Sequence, residues 1–501
     1  MPNKSIIIIG AGLAGLSAGC YAQMNGYESQ IFEMHDLAGG LCTGWERNGF
    51  IINGGLHWLV GAGPKLSFYK IWHELGALQR RQVFFPEELM CIEGPNNQKL
   101  ILYSDIDRLE QHLLEISPED KDIVADLMKD LRVFCKHDMP VLKAPEMYGA
   151  IDGMKLLFTF LPVMKIMNKW REVTIQDFAL RFKNQFLREA IPNFWLPQLS
   201  MIFLFLTFGW TNMQAAGYPL GGPYYFAKAI ENRYYDLGGK IKFNSKVAKI
   251  IVKNDQAVGV RLADGSEYFA DYIISAADGH STIFEMVDQK YVSKEICNYY
   301  DKLHPFPPPI HVALGVKKTF NDITQRILGI NFPLTEPITV ANERVAHLTA
   351  LIYNFDNSTA PQGHTLIECM IHSDYNVWVE LGKDPERYKK EKEAITAQVI
   401  SALDKRFPGI AANIVMQDVA TPLTFNRYTG IWQAGYEGWM ITPDTQRIKI
   451  RKILPGLKNF HMIGHWVEMG GGLPAAAVSG RNLIQIFCKK DRKKFNVTIP
   501  S

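Results

Sequence analysis

This 501-residue sequence lacks paired cysteines. Its seven, Cys20, Cys42, Cys91, Cys135, Cys297, Cys369 and Cys488, are odd in number and scattered, with no C-x-x-C and no histidines at zinc spacing. That excludes a disulfide scaffold and a structural metal site, and points to a reducing, cytoplasmic compartment. Long apolar runs are missing too. Ile6 to Ile9 is broken at once by Gly10, too short for a signal peptide. Met154–Trp170 is interrupted by Lys155, Lys165 and Lys169, and Leu199–Phe208 is dense but short, so neither is expected to span a bilayer. Charge of one sign is scarce: the net charge is +3, with no arginine stripe among aromatics, which argues against nucleic acid as a partner. Repeats and low-complexity tracts are absent.

What is present begins at once. Ser5–Ile9 reads as a buried strand, Leu13–Met24 as a helix and Ser29–Phe32 as a second strand, a β-α-β unit. Between strand and helix lies Gly10-Ala11-Gly12-Leu13-Ala14-Gly15, and Glu33 ends the next strand. Gly10 permits the tight turn. Gly12, with Ala14 beyond it, lets the backbone approach a pyrophosphate seated on the helix N-terminus. Gly15 lets helix and strand pack closely, and Glu33 is placed to accept ribose hydroxyls. A glycine-rich turn without a ligand is the competing reading, and the strand–turn–helix context argues against it.

The glycine pair Gly39-Gly40 follows Glu33 closely, and a second glycine-rich turn, Gly470-Gly471-Gly472, stands near the far end of the chain. A second loop crossing the phosphates and a distant closing element favour FAD over NAD. Around Pro219 the chain restarts a regular pattern: Gly221-Gly222, a helix over 224–235, strands over 240–244 and 272–276, and a hairpin of 246–252 with 257–262. Phe460–Ile463 reads as a further strand, and Pro474 opens a last helix.

These three blocks resemble the phytoene desaturase family of flavoproteins, relatives of the amine oxidases that include carotenoid isomerases and retinol saturases. The first block carries Gly10, Gly12, Gly15, Glu33, Gly39, Gly40, Thr43, Gly49 and Gly55. The second carries Pro219, Gly221, Gly222, Val247, Ile250, Gly259 and Val260. The third carries Gly464, Gly470-Gly471-Gly472-Leu473-Pro474 and Ser479-Gly480-Arg481. The resemblance implies an α/β fold with a Rossmann-type FAD-binding domain (1–65, 218–285 and 441–501). It also implies a mixed α+β substrate domain made of inserted segments (66–217 and 286–440) that carries helices for a membrane face. It implies contact of Val247 with adenine, and of Leu41, Gly464, His465, Gly471, Gly472 and Leu473 with the cofactor. The implied reaction is FAD-dependent desaturation, saturation or isomerisation of an apolar polyene or isoprenoid lipid by an enzyme peripheral to the membrane; the electron acceptor is left open. An amine oxidase and a non-enzymatic prenyl-binding protein of the GDP dissociation inhibitor type share the fold and are the alternatives.

The sequence departs from that family at Leu41, Asn53, His57-Trp58 and Met469. His57 and Glu468 are the candidate acid–base residues beside the flavin, able to move a proton while the flavin moves a hydride; a conjugated polyene also permits the charge to be delocalised until solvent takes the proton, which makes such a residue optional. Phe203, Phe205, Phe208 and Trp210 line either a lipid tunnel or plain core. The lysine-rich end, 489–494, either complements a helix dipole or faces anionic lipid.

Overall fold

The computed structural model describes residues 3–445, 448–468 and 470–500; Met469 lies outside them. Its first layer is a five-stranded sheet, every pairing in it parallel, in the order Lys240–Lys242, Glu28–Phe32, Ser5–Ile9, Tyr272–Ser275, Phe460–Met462. Ser5–Ile9 lies at its centre, which is why four isoleucines occupy it: all are buried. The Lys240 strand stops sooner than the pattern suggests because Asn244 turns into the left-handed region (φ 51°) and hydrogen-bonds back to His35 O.

The C-terminal helix Gly472–Lys490 packs along Leu13–Met24. Gly480 allows this, since a Cβ there would lie 2.7 Å from Ala18 N. Ser479 Oγ accepts from Gly464 N at 2.9 Å. Arg481 Nε donates to Glu74 at 2.9 Å, and Tyr21 donates to the same carboxylate at 2.6 Å. The closing signature therefore pins the end of the chain to its beginning. The lysine-rich tail serves the same end in part, as Lys493 donates to Gly26 O at 3.1 Å.

The second layer is a seven-stranded sheet in the order Ile414–Ala420, Pro309–Val316, Thr365–His372, Glu343–Ile352, Ile327–Val340, Glu88–Glu93, Lys99–Tyr103. It is antiparallel except where Ile327–Val340 pairs with Glu88–Glu93. Two segments distant in sequence thus share one sheet. Helices Ile106–Ile116, Lys121–Phe134 and Met201–Asn212 bury a shared apolar core beside it. Helix Ala150–Trp170 sends only Ile166 and Trp170 fully into that core. Its Ile151, Met154, Leu157, Phe158, Leu161 and Met164 are exposed, Phe158 by 76%. Among the described residues, no helix is long and apolar enough to cross a membrane.

Candidate functional site

A cavity of about 2040 Å³ runs between the two layers. Ligand pockets usually hold about 300–1,000 Å³, so this one has room for a cofactor and a second long molecule. One end is made of backbone. Gly10, Gly12, Leu13 and Ala14 line it beside Glu33, Gly39, Gly40, Leu41, Gly55 and Val247. The closing loop adds Gly464, His465, Gly471, Gly472 and Leu473.

Two helices, Leu13–Met24 and Gly472–Lys490, begin at this wall, and neither has a side-chain cap on its first turn. Their free N–H groups and positive dipole ends suit anionic oxygens. A Cβ at Gly12 would meet only Gly40 Cα, at 4.0 Å, so the space in front of the loop stays open for a ligand. Glu33 is held by Ala11 N (2.6 Å) and His35 N (2.9 Å) at the cavity wall; burial raises its pKa and those two N–H donors oppose the rise. These backbone donors and the Glu33 acceptor fit the pyrophosphate and the ribose hydroxyls of a dinucleotide.

Gly15 does not line the cavity. A Cβ there would collide with Gly10 O, so its absence lets helix and strand pack closely. The other sequence-derived site residues all reach the wall.

The opposite end is made of side chains. Phe203, Leu206 and Trp210 of the Met201 helix face the cavity, whereas Phe205 and Phe208 are buried in the core. The aromatic run thus divides by helix face, because residues three or four apart share a side.

His57 also lines the cavity. Asn53 shapes its loop: Asn53 Nδ2 donates to Leu56 O at 2.6 Å, and Asn53 Oδ1 accepts from Leu56 N at 2.9 Å. An ionised aspartate could not make the first of these bonds, which explains that departure. His57 Nδ1 is 3.3 Å from Tyr353 Oη, which donates to Glu368 at 2.8 Å, and His57 Nε2 is 3.0 Å from Met370 Sδ. Burial pushes the His57 pKa down to about 4, against the opposing pull of Glu368, so the imidazole is neutral at pH 7. His465 is lowered to about 4 by burial as well. Glu468 is raised by burial, and its Lys452 partner at 2.6 Å opposes that shift.

Sequence reasoning missed Glu437. It lines the cavity against the closing loop, and burial raises its pKa to about 7. No motif surrounds it, and its only local signal is the pair of turn glycines Gly435 and Gly438. Among the described residues, no cluster of three or more His, Cys, Asp or Glu side chains is placed to hold a metal ion.

Known proteins agree with this geometry. The sequence matches the flavin containing amine oxidoreductase family over residues 13–483. It is 26% identical to the chloroplastic prolycopene isomerase of Daucus carota, over 84% of this chain and 70% of that one. It is 23% identical to the neurosporene-forming phytoene desaturase of Rhodobacter capsulatus, over 96% of this chain and 93% of that one. In fold it is similar to putrescine oxidase (TM-score 0.63, 12% identity, 97% and 99% of the two chains) and to an oxidoreductase from Methanosarcina mazei (TM-score 0.57, 16% identity, 96% and 100%). These relatives bear out the resemblance to the phytoene desaturase group, and the cofactor is FAD. The chain belongs to the flavin containing amine oxidoreductase family and is an FAD-dependent oxidoreductase.

Proposed function

We propose that the protein changes the carbon–carbon bonding of an apolar polyene or isoprenoid lipid, by desaturation, saturation or isomerisation. The observation that carries this reading is the continuity of the cavity, from the glycine cradle to a wall of Phe194, Trp195, Phe203, Leu206 and Trp210. A polyene fits such a wall because it needs no polar partner along its length. The curated relatives are named for prolycopene, phytoene and neurosporene chemistry. In this reading residues 1–65, 218–285 and 441–501 form the FAD-binding domain, and 66–217 with 286–440 the substrate domain.

FAD would lie along the cradle, with its pyrophosphate at Gly12 and Ala14, its ribose at Glu33 and its adenine at Val247. Gly39, Gly40, Leu41 and Gly55 would cover it, and Gly464, His465 and Gly471–Leu473 would face the ring. The bound flavin supplies the two-electron chemistry. The protein's own residues hold the polyene straight, keep out water and manage protons. His57 is neutral and acts here as a hydrogen-bonding group positioned by Tyr353. Glu468, the other candidate, is tied to Lys452 and orders the closing loop.

Substrate entry would run from a membrane surface. Met139, Pro140 and Lys143 lie at a cavity mouth, and Lys143 pairs with Asp152 at 2.7 Å, at the start of the helix with the exposed apolar face. An amphipathic surface of that kind rests in the headgroup layer without spanning it. The test is anaerobic incubation of the yellow protein with carotenoids, retinoids and fatty acids, following flavin reduction and product together. Reaction with only an amine would overturn the reading.

A further inference from the structure

The cavity holds seven carboxylates, and six are accounted for. Glu33 accepts from Ala11 N and His35 N. Asp278 accepts from Ser281 N (2.8 Å) and Trp432 N (2.9 Å). Asp418 accepts from Trp45 Nε1 at 2.7 Å, and Glu468 pairs with Lys452. Asp36 and Glu285 are exposed to water. Glu437 alone lines the cavity partly buried, with no hydrogen bond or ion pair to its side chain among the described residues.

Its place is set by backbone packing. A Cβ at Gly471 would collide with Glu437 O, and a Cβ at Gly438 would lie 2.7 Å from His465 O. The segment carrying Glu437 is therefore clamped onto the closing loop and onto His465, at the uncapped start of the last helix. A desolvated carboxyl without a partner favours its neutral form and can take up and release a proton near neutrality.

We infer that Glu437 is the proton-transferring residue of the site, acting directly on the substrate carbon. This rests on the polyene reading above. In the desaturating direction a C–H bond gives its electron pair to the new C=C bond and its proton to a Glu437 carboxylate oxygen. The hydride from the adjacent carbon would go to oxidised FAD, the two-electron oxidant held at the glycine cradle. In the saturating direction the reverse would hold: reduced FAD would give the hydride to one carbon and the Glu437 carboxyl its proton to the other.

Geometry and proton affinity agree. Burial raises Glu437 to about 7, where one group serves as both acid and base. Tyr436 precedes it on its own segment, with His372 3.3 Å from the Tyr436 hydroxyl, while His465 packs against the neighbouring Gly438 and the apolar Ile441 against Gly470 of the closing loop. His465 and His372 are both lowered by burial to about 4 and are uncharged at pH 7, so no cation among them holds Glu437 ionised.

The test uses the FAD holoenzyme and its Glu437→Gln and Glu437→Asp variants, with phytoene and prolycopene in liposomes as probes. Infrared difference spectra between acid and alkaline pH should show a carboxyl band titrating near neutrality and missing from Glu437→Gln. At equal flavin content Glu437→Gln should lose about 100-fold or more in turnover, together with the neutral limb of its pH profile. Glu437→Asp should keep a measurable share of turnover, with that limb moved toward acid. Wild-type turnover in Glu437→Gln, or a band unchanged in it, overturns the assignment. If the wild type acts on neither polyene, the substrate reading falls by itself, and the infrared titration still decides for or against a neutral-pH proton at Glu437.

Discussion

The two ends of the cavity are built on different principles. At the cofactor end the backbone makes the surface: glycines open the space and two uncapped helix starts supply the donors. At the substrate end, side chains from strands and helices far apart in sequence make it. The first kind tolerates almost no added atom. The second tolerates many exchanges of shape, provided the apolar volume is kept. A cofactor with one fixed structure suits the first, and a lipid whose identity varies between relatives suits the second.

The sharpest way to break this contrast is inside the glycine motif. Gly12→Asp puts bulk and charge where a Cβ meets almost nothing, so the protein should fold yet purify colourless. Gly15→Ala drives a Cβ into Gly10 O, and should cost about 3 kcal/mol of stability or more even without flavin. Flavin absorbance and urea melts of the two variants separate cradle from packing. A yellow Gly12→Asp protein would show that the loop does not hold the cofactor.

Acid should be the next largest effect. His57, His372, His461 and His465 are each lowered by burial to about 4. Depressed histidines bind fewer protons folded than unfolded. Their contribution is therefore complete above the unfolded value near 6.5 and drains away as pH falls through 4. Each is worth up to about 3 kcal/mol across that window. Denaturation curves at falling pH should show the loss, and His57→Gln should flatten the slope.

Glu437 should behave in the opposite sense. Its folded pKa is raised by burial, so the folded state binds the extra proton, and stability falls as pH rises from about 4.5 to about 7. Glu437→Gln should stabilise the protein at pH 8 by up to about 3 kcal/mol and leave it unchanged at pH 4. A variant no more stable than wild type at pH 8 would mean that the carboxylate has a partner.

His57→Ala should cost about tenfold or less in turnover at equal flavin, because a neutral hydrogen-bonding group contributes less than a proton carrier. A loss on the order of 100-fold would return the proton to His57. The smallest effect belongs to the surface: Phe158→Ser should stay within about 0.5 kcal/mol of wild-type stability. Even so, it should reduce flotation with anionic liposomes, and unchanged flotation would remove this helix from the membrane reading.

How much could be read from the chain follows the same divide. The β-α-β start, the Val247 hairpin and the closing turn are local patterns set by residues close together in sequence, so spacing revealed them, and all three reach the cavity wall. The seven-stranded sheet was not legible as such, because its strands come from two segments separated by helices and meet only through the pairing of Ile327–Val340 with Glu88–Glu93. The aromatic run was read as a single group, yet the helix divides it into Phe203 and Trp210 at the cavity and Phe205 and Phe208 in the core.

By itself, then, the sequence determined the dinucleotide fold and its cofactor, because turns that only glycine permits recur at spacings a strand–turn–helix unit imposes. Tertiary structure alone decided which titratable groups are charged. His57 is neutral because folding buries it next to Tyr353, and Glu468 is tied because Lys452 arrives from another loop. Glu437 has no side-chain partner among the described residues, and its segment packs against the closing glycines at the cavity wall. Proton affinity depends on desolvation and on neighbours distant along the chain, and neither is written in local spacing.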